Sequence, residues 1–256
     1  MAVQVYFIGA GPGDPELLTI KGRRIIEQAD VIIYADSLID PKVCSCARKE
    51  AEVHGSASLT LDEITEIILS AVKEGKTIAR LQSGDPSIYG AIQEQVAVLE
   101  EHGIEYEVIP GVSSLFAAAA SLKTELTVPE LSQTVIITRM EGRTPVPERE
   151  SLKNLAAHQA TLAIFLSVSL IERVVEELLD GGYPSETPVA VVYRASWNDE
   201  TVIRSTLKDI VKRVQTLGIK RQALILVGGV LDHDKKGYRS RLYHKNFSHG
   251  YRQRKL

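Results

Sequence analysis

Residues 80–90 read Arg-Leu-Gln-Ser-Gly-Asp-Pro-Ser-Ile-Tyr-Gly, and this stretch decides the fold class. The apolar pattern of residues 77–81 predicts a β-strand, which the Ser-Gly-Asp-Pro turn ends. A helix is expected to start at once, with Asp85 as its N-cap and Pro86 at its first position. Such a turn places backbone N–H groups at the carboxyl end of a strand, where open α/β sheets bind small ligands. The stretch predicts an α/β protein with a small-molecule site.

A second loop of related character, Gly9-Ala-Gly-Pro-Gly-Asp-Pro15, follows the first predicted strand at residues 3–10. It departs from the dinucleotide-binding fingerprint because Pro12 lacks an N–H group that a phosphate would use. No Gly-Lys-Ser/Thr follows it, so the phosphate-binding loop of nucleotide hydrolases is excluded as well. The spacing favours a sharp turn with Asp14 as N-cap over a nicotinamide site.

Strands and helices alternate as far as residue 121, which predicts a mostly parallel sheet with helices on both faces. The apolar periodicity lapses over residues 122–132, and a second α/β series then runs to residue 234. We therefore expect an N-terminal α/β lobe at 1–121, a C-terminal α/β lobe at 122–234 and a tail at 235–256. The expected fold class is α/β, with two lobes and a ligand-binding cleft between them.

The composition is that of a globular protein, with 256 residues, 44% of them hydrophobic and 25% charged. No apolar run reaches the ~20 residues of a membrane helix, and the first residues read as a strand rather than a signal peptide. Cys44 and Cys46 are too close to pair readily, which favours reduced thiols and a cytoplasmic protein. A Cys-x-Cys metal site is the alternative, which the absence of a second Cys pair and the single nearby His54 disfavour. The histidines show no metal-ligand spacing, and no hydrolase motif occurs.

The tail at 235–256 carries eight Lys and Arg residues and no acidic residue, although the net charge of the whole chain is −3. Such a segment suits a polyanionic partner or a solvated extension, and composition alone favours the extension.

Two groups of polar residues are candidates for chemistry. Asp36 follows the second predicted strand, where α/β enzymes place reactive groups, and where an Asp also commonly caps a turn. Arg139, Glu141 and Arg143 lie in a loop after the first strand of the second lobe. The two arginines suit a carboxylate-bearing ligand, whereas composition alone favours a solvated loop with surface ion pairs.

Four motifs in this order resemble the tetrapyrrole methylases, an S-adenosylmethionine-dependent class with two α/β lobes. They are Gly9-Ala-Gly-Pro-Gly-Asp-Pro15, Tyr34-Ala-Asp-Ser-Leu38, Ser83-Gly-Asp-Pro-Ser-Ile-Tyr-Gly90 and Ile109-Pro-Gly-Val-Ser-Ser114. Three further stretches are most similar to the members that methylate precorrin-4, or its cobalt form, at C11 in cobalamin synthesis. They are Gly90-Ala-Ile-Gln-Glu-Gln95, Thr138-Arg-Met-Glu-Gly-Arg-Thr-Pro-Val-Pro-Glu148 and Ser248-His-Gly-Tyr-Arg252.

The resemblance implies that S-adenosylmethionine binds between the lobes and leaves as S-adenosylhomocysteine. The implied cofactor-binding residues are Pro12, Ser83, Gly84, Asp85, Ile88, Ser113, Ser114, Leu166 and Ala195. The loop with Gly11 and Asp14 would face the macrocycle, whose carboxylates would meet the Arg139, Glu141 and Arg143 loop. Asp36 matches a residue proposed as a base in uroporphyrinogen methylases.

The implied partner is a small-molecule tetrapyrrole, with no nucleic acid and no membrane, and the implied assembly is a homodimer. Methylation at C20, C17 or C2/C7 of a related macrocycle is the alternative. An rRNA ribose methyltransferase of the same fold is a further one, although those enzymes carry an Asp-Ala-Gly-Thr-Pro turn where this chain has Ser-Gly-Asp-Pro. A non-catalytic tetrapyrrole binder is the third.

Overall fold

The structure, a computed structural model, describes residues 3–232, 240, 246–248 and 250–251. By its contacts the chain divides into two compact units. The first runs to Ala118 and also includes Arg194–Glu200; the second contains Ala119–Tyr193 and the described residues from Thr201 onward. The predicted basic tail lies largely outside the described residues, and its role stays a prediction.

The first unit is built on a five-stranded sheet in the order β3-β2-β4-β1-β5, and every pair in it is parallel. This confirms the predicted parallel sheet. β3 was not predicted, because its four residues, Glu-Val-His-Gly, are mostly exposed and carry little apolar signal. The elements are β1 (Val5–Gly9), α1 (Ile20–Gln28), β2 (Val31–Tyr34), β3 (Glu52–Gly55), α2 (Leu61–Lys73), β4 (Ile78–Gln82), α3 (Gln93–Glu101), β5 (Tyr106–Ile109) and α4 (Ser114–Ser121), of which the residues from Ala119 onward belong to the second unit.

Apolar side chains cover both faces of this sheet because successive strand residues point to opposite sides. On one face Phe7 and Ile33 pack with Ile68 of α2, and all three are fully buried. On the other face Ile8 packs with Ile26 of α1. Burial of each such side chain contributes about 1.5–3 kcal/mol, so the two cores fix the sheet between its helices.

Arg80 is the exception in the centre of β4, because only 5% of its surface is exposed. Its guanidinium donates to Gln95 Oε1 and to Ser56 Oγ, each at 3.1 Å, and to the carbonyl oxygen of Ile33 at 3.4 Å. Burial lowers the pKa of Arg80 to about 10. The buried cation is thus satisfied by neutral oxygens, which tie β4 to α3 and to the ends of β2 and β3.

The expectation that a helix starts directly after the 83–86 turn was wrong. α3 begins at Gln93, and residues 86–89 form a turn instead. Tyr89 and Ala91 have φ values of 54° and 50°, in the left-handed region, which interrupts any helix through them. Asp85 is therefore not a helix N-cap. Asp14, by contrast, caps as predicted, because its side chain accepts the Glu16 N–H.

The chain forms two separate helices between β1 and β2. A short 3-10 helix at Pro15–Leu17 ends before Thr19, which acts as the N-cap of α1 by accepting the N–H of Gly22. The polar cap restarts the backbone in a new direction, and the apolar pattern alone does not reveal this break.

The second unit also holds a five-stranded sheet, in the order β6-β7-β10-β8-β9. Only β6 and β7 pair in parallel; β10 runs antiparallel to β7 and β8, and β8 and β9 form an antiparallel pair. The predicted α/β character is confirmed, and β9 is an additional strand. The elements are β6 (Val135–Arg139), α5 (Leu152–Ala156), β7 (Thr161–Phe165), α6 (Ile171–Asp180), β8 (Pro188–Tyr193), β9 (Thr201–Thr206), α7 (Leu207–Thr216) and β10 (Ala223–Val227).

Three backbone segments at the carboxyl edge of the first sheet approach each other so closely that only glycine fits at Gly9 and Gly111. They are the end of β1, which includes Gly9, and the loops after β4 and β5, which contain Gly84 and Gly111. A Cβ on Gly111 would lie 2.2 Å from the Gly84 carbonyl oxygen and 2.6 Å from Gly9 Cα. Gly11 N–H donates to Gly84 O at 3.2 Å, and Gly84 N–H returns a bond to Gly11 O at 2.8 Å. We call this contact the glycine junction.

The glycine junction makes a prediction for Gly111→Ala. Because the added methyl group meets backbone on two sides, the substitution is expected to destabilise the first unit by about 3 kcal/mol, as overpacking does. The midpoint of urea unfolding, followed by circular dichroism, measures this. Gly142→Ala is the matched control, since a Cβ there meets only Leu170 Cδ1 at 3.6 Å. Equal midpoints for the two variants would show that the junction relaxes at little cost.

Candidate active site

The candidate site lies at the carboxyl edge of the first sheet. β2 and β4 are neighbours there, but the chain leaves β2 toward β3 on one side and leaves β4 toward β5 on the other. Open α/β sheets bind ligands where neighbouring connections diverge in this way. Asp36 follows β2 and Ser83 follows β4, so the structure brings these two predicted site residues to one switch point.

Asp85 links two of the loops at this edge. Its Oδ2 accepts the N–H of Gly111 at 2.8 Å, and its Oδ1 accepts the backbone N–H of Ser87 at 2.9 Å as well as the Ser87 hydroxyl. Burial acts to raise the pKa of Asp85, but these hydrogen bonds outweigh it and hold the pKa below its ordinary value. Both oxygens of the Asp85 carboxylate accept hydrogen bonds from within the protein, so the turn offers a ligand backbone groups rather than a free acid.

The other cofactor candidates of the first unit surround this turn. Ser83 and Ile88 are half-buried, and Gly84 adopts a φ of 65° that suits glycine. Ser113 Oγ accepts the N–H of Leu115, and Ser114 is the first residue of α4. Together they offer backbone polar groups, short hydroxyls and an apolar side chain.

Gln82, the last residue of β4, received no role from the sequence. It is 5% exposed, and its Nε2 has no hydrogen-bond partner among the residues that the structure describes. A buried amide donor without an acceptor is costly. A polar residue at the carboxyl end of a fully buried strand is the signal that would have singled it out.

Leu166 and Ala195 follow strands of the second sheet. Leu166 comes directly after β7, is 64% exposed and has a φ of 54°. Ala195 is buried and belongs to Arg194–Glu200, the segment between β8 and β9 that packs with the first unit. The cofactor roles of both residues stay predictions.

The loop at residues 9–15 is held by the loop after β4 and by Arg194–Glu200. The backbone of Gly11 bonds to Gly84, as described above, and the N–H of Asp14 donates to Ser196 Oγ at 3.0 Å. The Pro12 carbonyl oxygen accepts the indole N–H of Trp197 at 2.9 Å. Gly11, Pro12 and Asp14 therefore have backbone roles in the fold, and their predicted contacts with ligands stay predictions.

Asp36 is exposed and lies against the backbone of Gly55, at the end of β3. Its Oδ1 accepts the N–H of Ala57 at 2.7 Å. The side chain thus caps the turn after β3, and Oδ2 is left as the oxygen that can accept a proton. The turn-capping interpretation of Asp36 is correct, and it is compatible with a chemical role at the same position.

Arg139 organises the loop that carries the arginine candidates. Its guanidinium donates to the carbonyl oxygens of Met140, Thr144 and Pro145, at 3.3, 3.2 and 2.7 Å. Arg143 and Glu141 are exposed in the same loop, and neither makes a hydrogen bond or ion pair within the described part of the chain. Of the two arginines, Arg143 is the one whose charge the loop leaves available.

Among the described residues, no helix is both long and apolar enough to cross a membrane. In the same part of the chain, no three His, Cys, Asp or Glu side chains converge as a metal site would require. Cys44 and Cys46 are free thiols, and burial raises the pKa of Cys44 to about 11, which keeps that thiol protonated at neutral pH.

Comparison with known proteins places the chain in a family. The model of the tetrapyrrole (corrin/porphyrin) methylases matches residues 4–211. A cobalt-precorrin-4 C(11)-methyltransferase of Methanocaldococcus jannaschii is 60% identical over 250 residues, which cover 98% of this chain and 96% of that protein. A precorrin-4 C(11)-methyltransferase of Pseudomonas aeruginosa is 50% identical over 249 residues, which cover 97% and 98%.

Solved structures share the fold. A cobalt precorrin-4 methyltransferase, described as a cobalamin biosynthetic enzyme, matches with a TM-score of 0.87 at 49% identity, covering 89% of this chain and 95% of that one. The uroporphyrin-III C-methyltransferase of Thermus thermophilus, complexed with S-adenyl homocysteine, matches with a TM-score of 0.75 at 29% identity, covering 89% and 98%. On the match over residues 4–211 and the identity to these relatives, the chain belongs to the tetrapyrrole (corrin/porphyrin) methylases.

Proposed function

We propose that this chain is an S-adenosylmethionine-dependent methyltransferase that methylates precorrin-4, or its cobalt form, at C11 in cobalamin biosynthesis. The observation that carries this is the 60% identity over 98% of the chain to a cobalt-precorrin-4 C(11)-methyltransferase. The specific 138–148 stretch of sequence points to the same substrate. Any cobalt arrives with the macrocycle as part of the substrate.

The residues at the carboxyl edge of the first sheet fit the cofactor. S-adenosylmethionine, when bound, supplies a methyl group on a positively charged sulfur and so needs no covalent enzyme intermediate. Ser83, Gly84 and Ile88 would hold it through backbone groups and apolar surface, with Ser113 and Ser114 adding hydroxyls. The unpartnered Nε2 of Gln82 supports a polar ligand at this edge, because ligand binding there would satisfy a buried donor.

The chain's contribution to the reaction is to orient both ligands and to manage charge. Orientation of two reactants supplies a large part of the acceleration in such transfers. Arg143 would pair with a carboxylate of the macrocycle, and Asp36 Oδ2 would accept the proton lost from the methylated ring. We further propose a homodimer in the cytoplasm, which sedimentation and fractionation would test.

The assay for this function compares precorrin-4, cobalt-precorrin-4 and uroporphyrinogen III as substrates, with the methyl position located by NMR. We expect transfer to C11 of one or both precorrin-4 forms and no transfer to uroporphyrinogen III. Methylation at another carbon would replace the C11 assignment. Binding without transfer would identify a tetrapyrrole-binding protein.

Asp36→Asn separates the two roles of this residue. Asparagine retains an oxygen that accepts the Ala57 N–H but removes the base. If Asp36 takes up the proton, kcat falls by about 10²-fold or more while the thermal midpoint hardly changes. Asp36→Ala, which also loses the cap, is the comparison for stability. Near-normal turnover by the Asn variant would assign Asp36 to the fold alone.

Arg143→Ala is expected to raise KM for the tetrapyrrole about tenfold and to leave the Kd for S-adenosylhomocysteine unchanged, because one charge-assisted contact is lost. The increase in KM should shrink at high salt, which screens exposed charges. Arg149→Ala is the matched control, since its side chain is 87% exposed and lies just beyond the same loop. An equal loss of affinity for both ligands, or equal effects of the Arg143→Ala and Arg149→Ala variants, would contradict the assignment of Arg143 to tetrapyrrole binding.

A further inference from the structure

The one tryptophan of this chain packs against the loop at residues 9–15, which we call the glycine-rich loop. Trp197 belongs to Arg194–Glu200, which packs with the first unit. Its indole N–H donates to the Pro12 carbonyl oxygen at 2.9 Å. Its ring covers Gly13 so closely that a Cβ on Gly13 would lie 2.1 Å from Trp197 Cδ1. The indole therefore fixes two successive residues of the loop, one through a hydrogen bond and one through contact.

The ring is itself held in place by the segment that carries it. The Arg194 guanidinium lies 4.8 Å from the centre of the Trp197 ring and pairs with Asp199 at 2.5 Å. Ser196 N–H donates to Glu200 Oε2 at 2.6 Å, while Ser196 Oγ accepts the Asp14 N–H. Arg194 and Ser196 have φ values of 47° and 70°, so the segment adopts a specific, tightly bonded turn.

The middle of the glycine-rich loop has few anchors of its own. Gly11 is fixed at the glycine junction, and the Asp14 side chain is fixed on Glu16. Between them Pro12 has no N–H and Gly13 has no side chain, so neither can anchor itself through those groups. The indole supplies what these two residues lack.

We propose that Trp197 is a positioning residue for methyl transfer, which holds residues 12–14 in the one conformation against which the tetrapyrrole docks. This inference rests on the proposed function. It assigns Arg194–Glu200, in which the sequence singled out only Ala195 as a cofactor contact, a part in substrate recognition.

Trp197→Phe and Trp197→Ala test the inference. The Phe variant keeps a ring over Gly13 but loses the N–H donor, and kcat/KM for the tetrapyrrole should fall about fivefold, the equivalent of one neutral hydrogen bond. The Ala variant loses both contacts, and its kcat/KM should fall further. The Kd for S-adenosylhomocysteine should change less than about twofold in either.

Gly13→Ala provides an internal check on the contact. The added methyl group collides with the indole, so the single variant should impair kcat/KM strongly. In a Trp197→Ala background the collision is absent and only the backbone strain at Gly13, whose φ is 159°, remains, so Gly13→Ala should cost clearly less there than in the wild type. Additive losses in the double variant would contradict the contact as the cause.

Hydrogen exchange gives a readout that does not depend on turnover. The amide hydrogens of Gly13 and Asp14 should exchange about tenfold faster in Trp197→Ala than in the wild type. Tyr183→Phe is the matched control, since it removes another aromatic donor from a backbone carbonyl, that of Ala160, within the second unit. It should lower stability without changing exchange at residues 13 and 14 or kcat/KM.

Two results would overturn the inference: unchanged exchange at these amides in Trp197→Ala, or faster exchange with an unaltered kcat/KM for the tetrapyrrole. A loss of kcat/KM that merely follows a loss of S-adenosylhomocysteine affinity would overturn it too. If the wild type methylates neither form of precorrin-4, the proposed function fails. The positioning role of Trp197 is then tested by the exchange data and by the binding of precorrin-4 to the wild type and the variants.

Discussion

The close backbone approach at the glycine junction sets the geometry of the loops around it. The end of β1 and the loop after β5 can approach the Gly84 carbonyl group only because Gly9 and Gly111 have no side chains, and Gly84 itself adopts a φ of 65° that suits glycine. Once they meet, their backbone groups bond to one another, and Asp85 adds a carboxylate that spans two of them. The edge of the sheet becomes one connected surface, which suits a site that must hold two ligands in a fixed relation.

Much of the polar chemistry at this edge serves the fold first. Asp85, Asp14 and Arg139 each use their charged groups on backbone partners within the chain. This does not argue against a binding site. Groups that brace loops reduce the ordering that a ligand would otherwise have to impose, and so they contribute to affinity without touching the ligand. Residues with uncommitted polar groups, such as Arg143 and Gln82, are then the better candidates for direct contact.

The sequence was a good guide where physical signals are local. The alternation of buried strands and amphipathic helices predicted the parallel sheet, and Asp14-Pro15 predicted a capped turn. It failed at β3, which is short and mostly exposed, and at β9, whose sequence Thr-Val-Ile-Arg-Ser-Thr is mostly polar. Both strands depend on pairing partners rather than on an apolar pattern. The prediction of a helix directly after Asp85 also failed, because an Asp-Pro pair occurs both at the start of a helix and in a turn. The left-handed backbone of Tyr89 and Ala91 excludes the helix in favour of the turn, and the residue types at these two positions do not predict that conformation.

Of the candidate site, sequence identified the turn at 83–86 and Asp36, because motif residues at strand ends are visible as motifs. It did not identify Trp197, because the contact joins residues 185 positions apart in the chain. That same contact has an optical consequence. With a single indole in the protein, all tryptophan emission comes from one ring stacked on the glycine-rich loop and hydrogen-bonded to it. Trp197 is thus a native fluorophore at one defined loop. The wavelength and intensity of its emission report the hydration of that loop without any attached label.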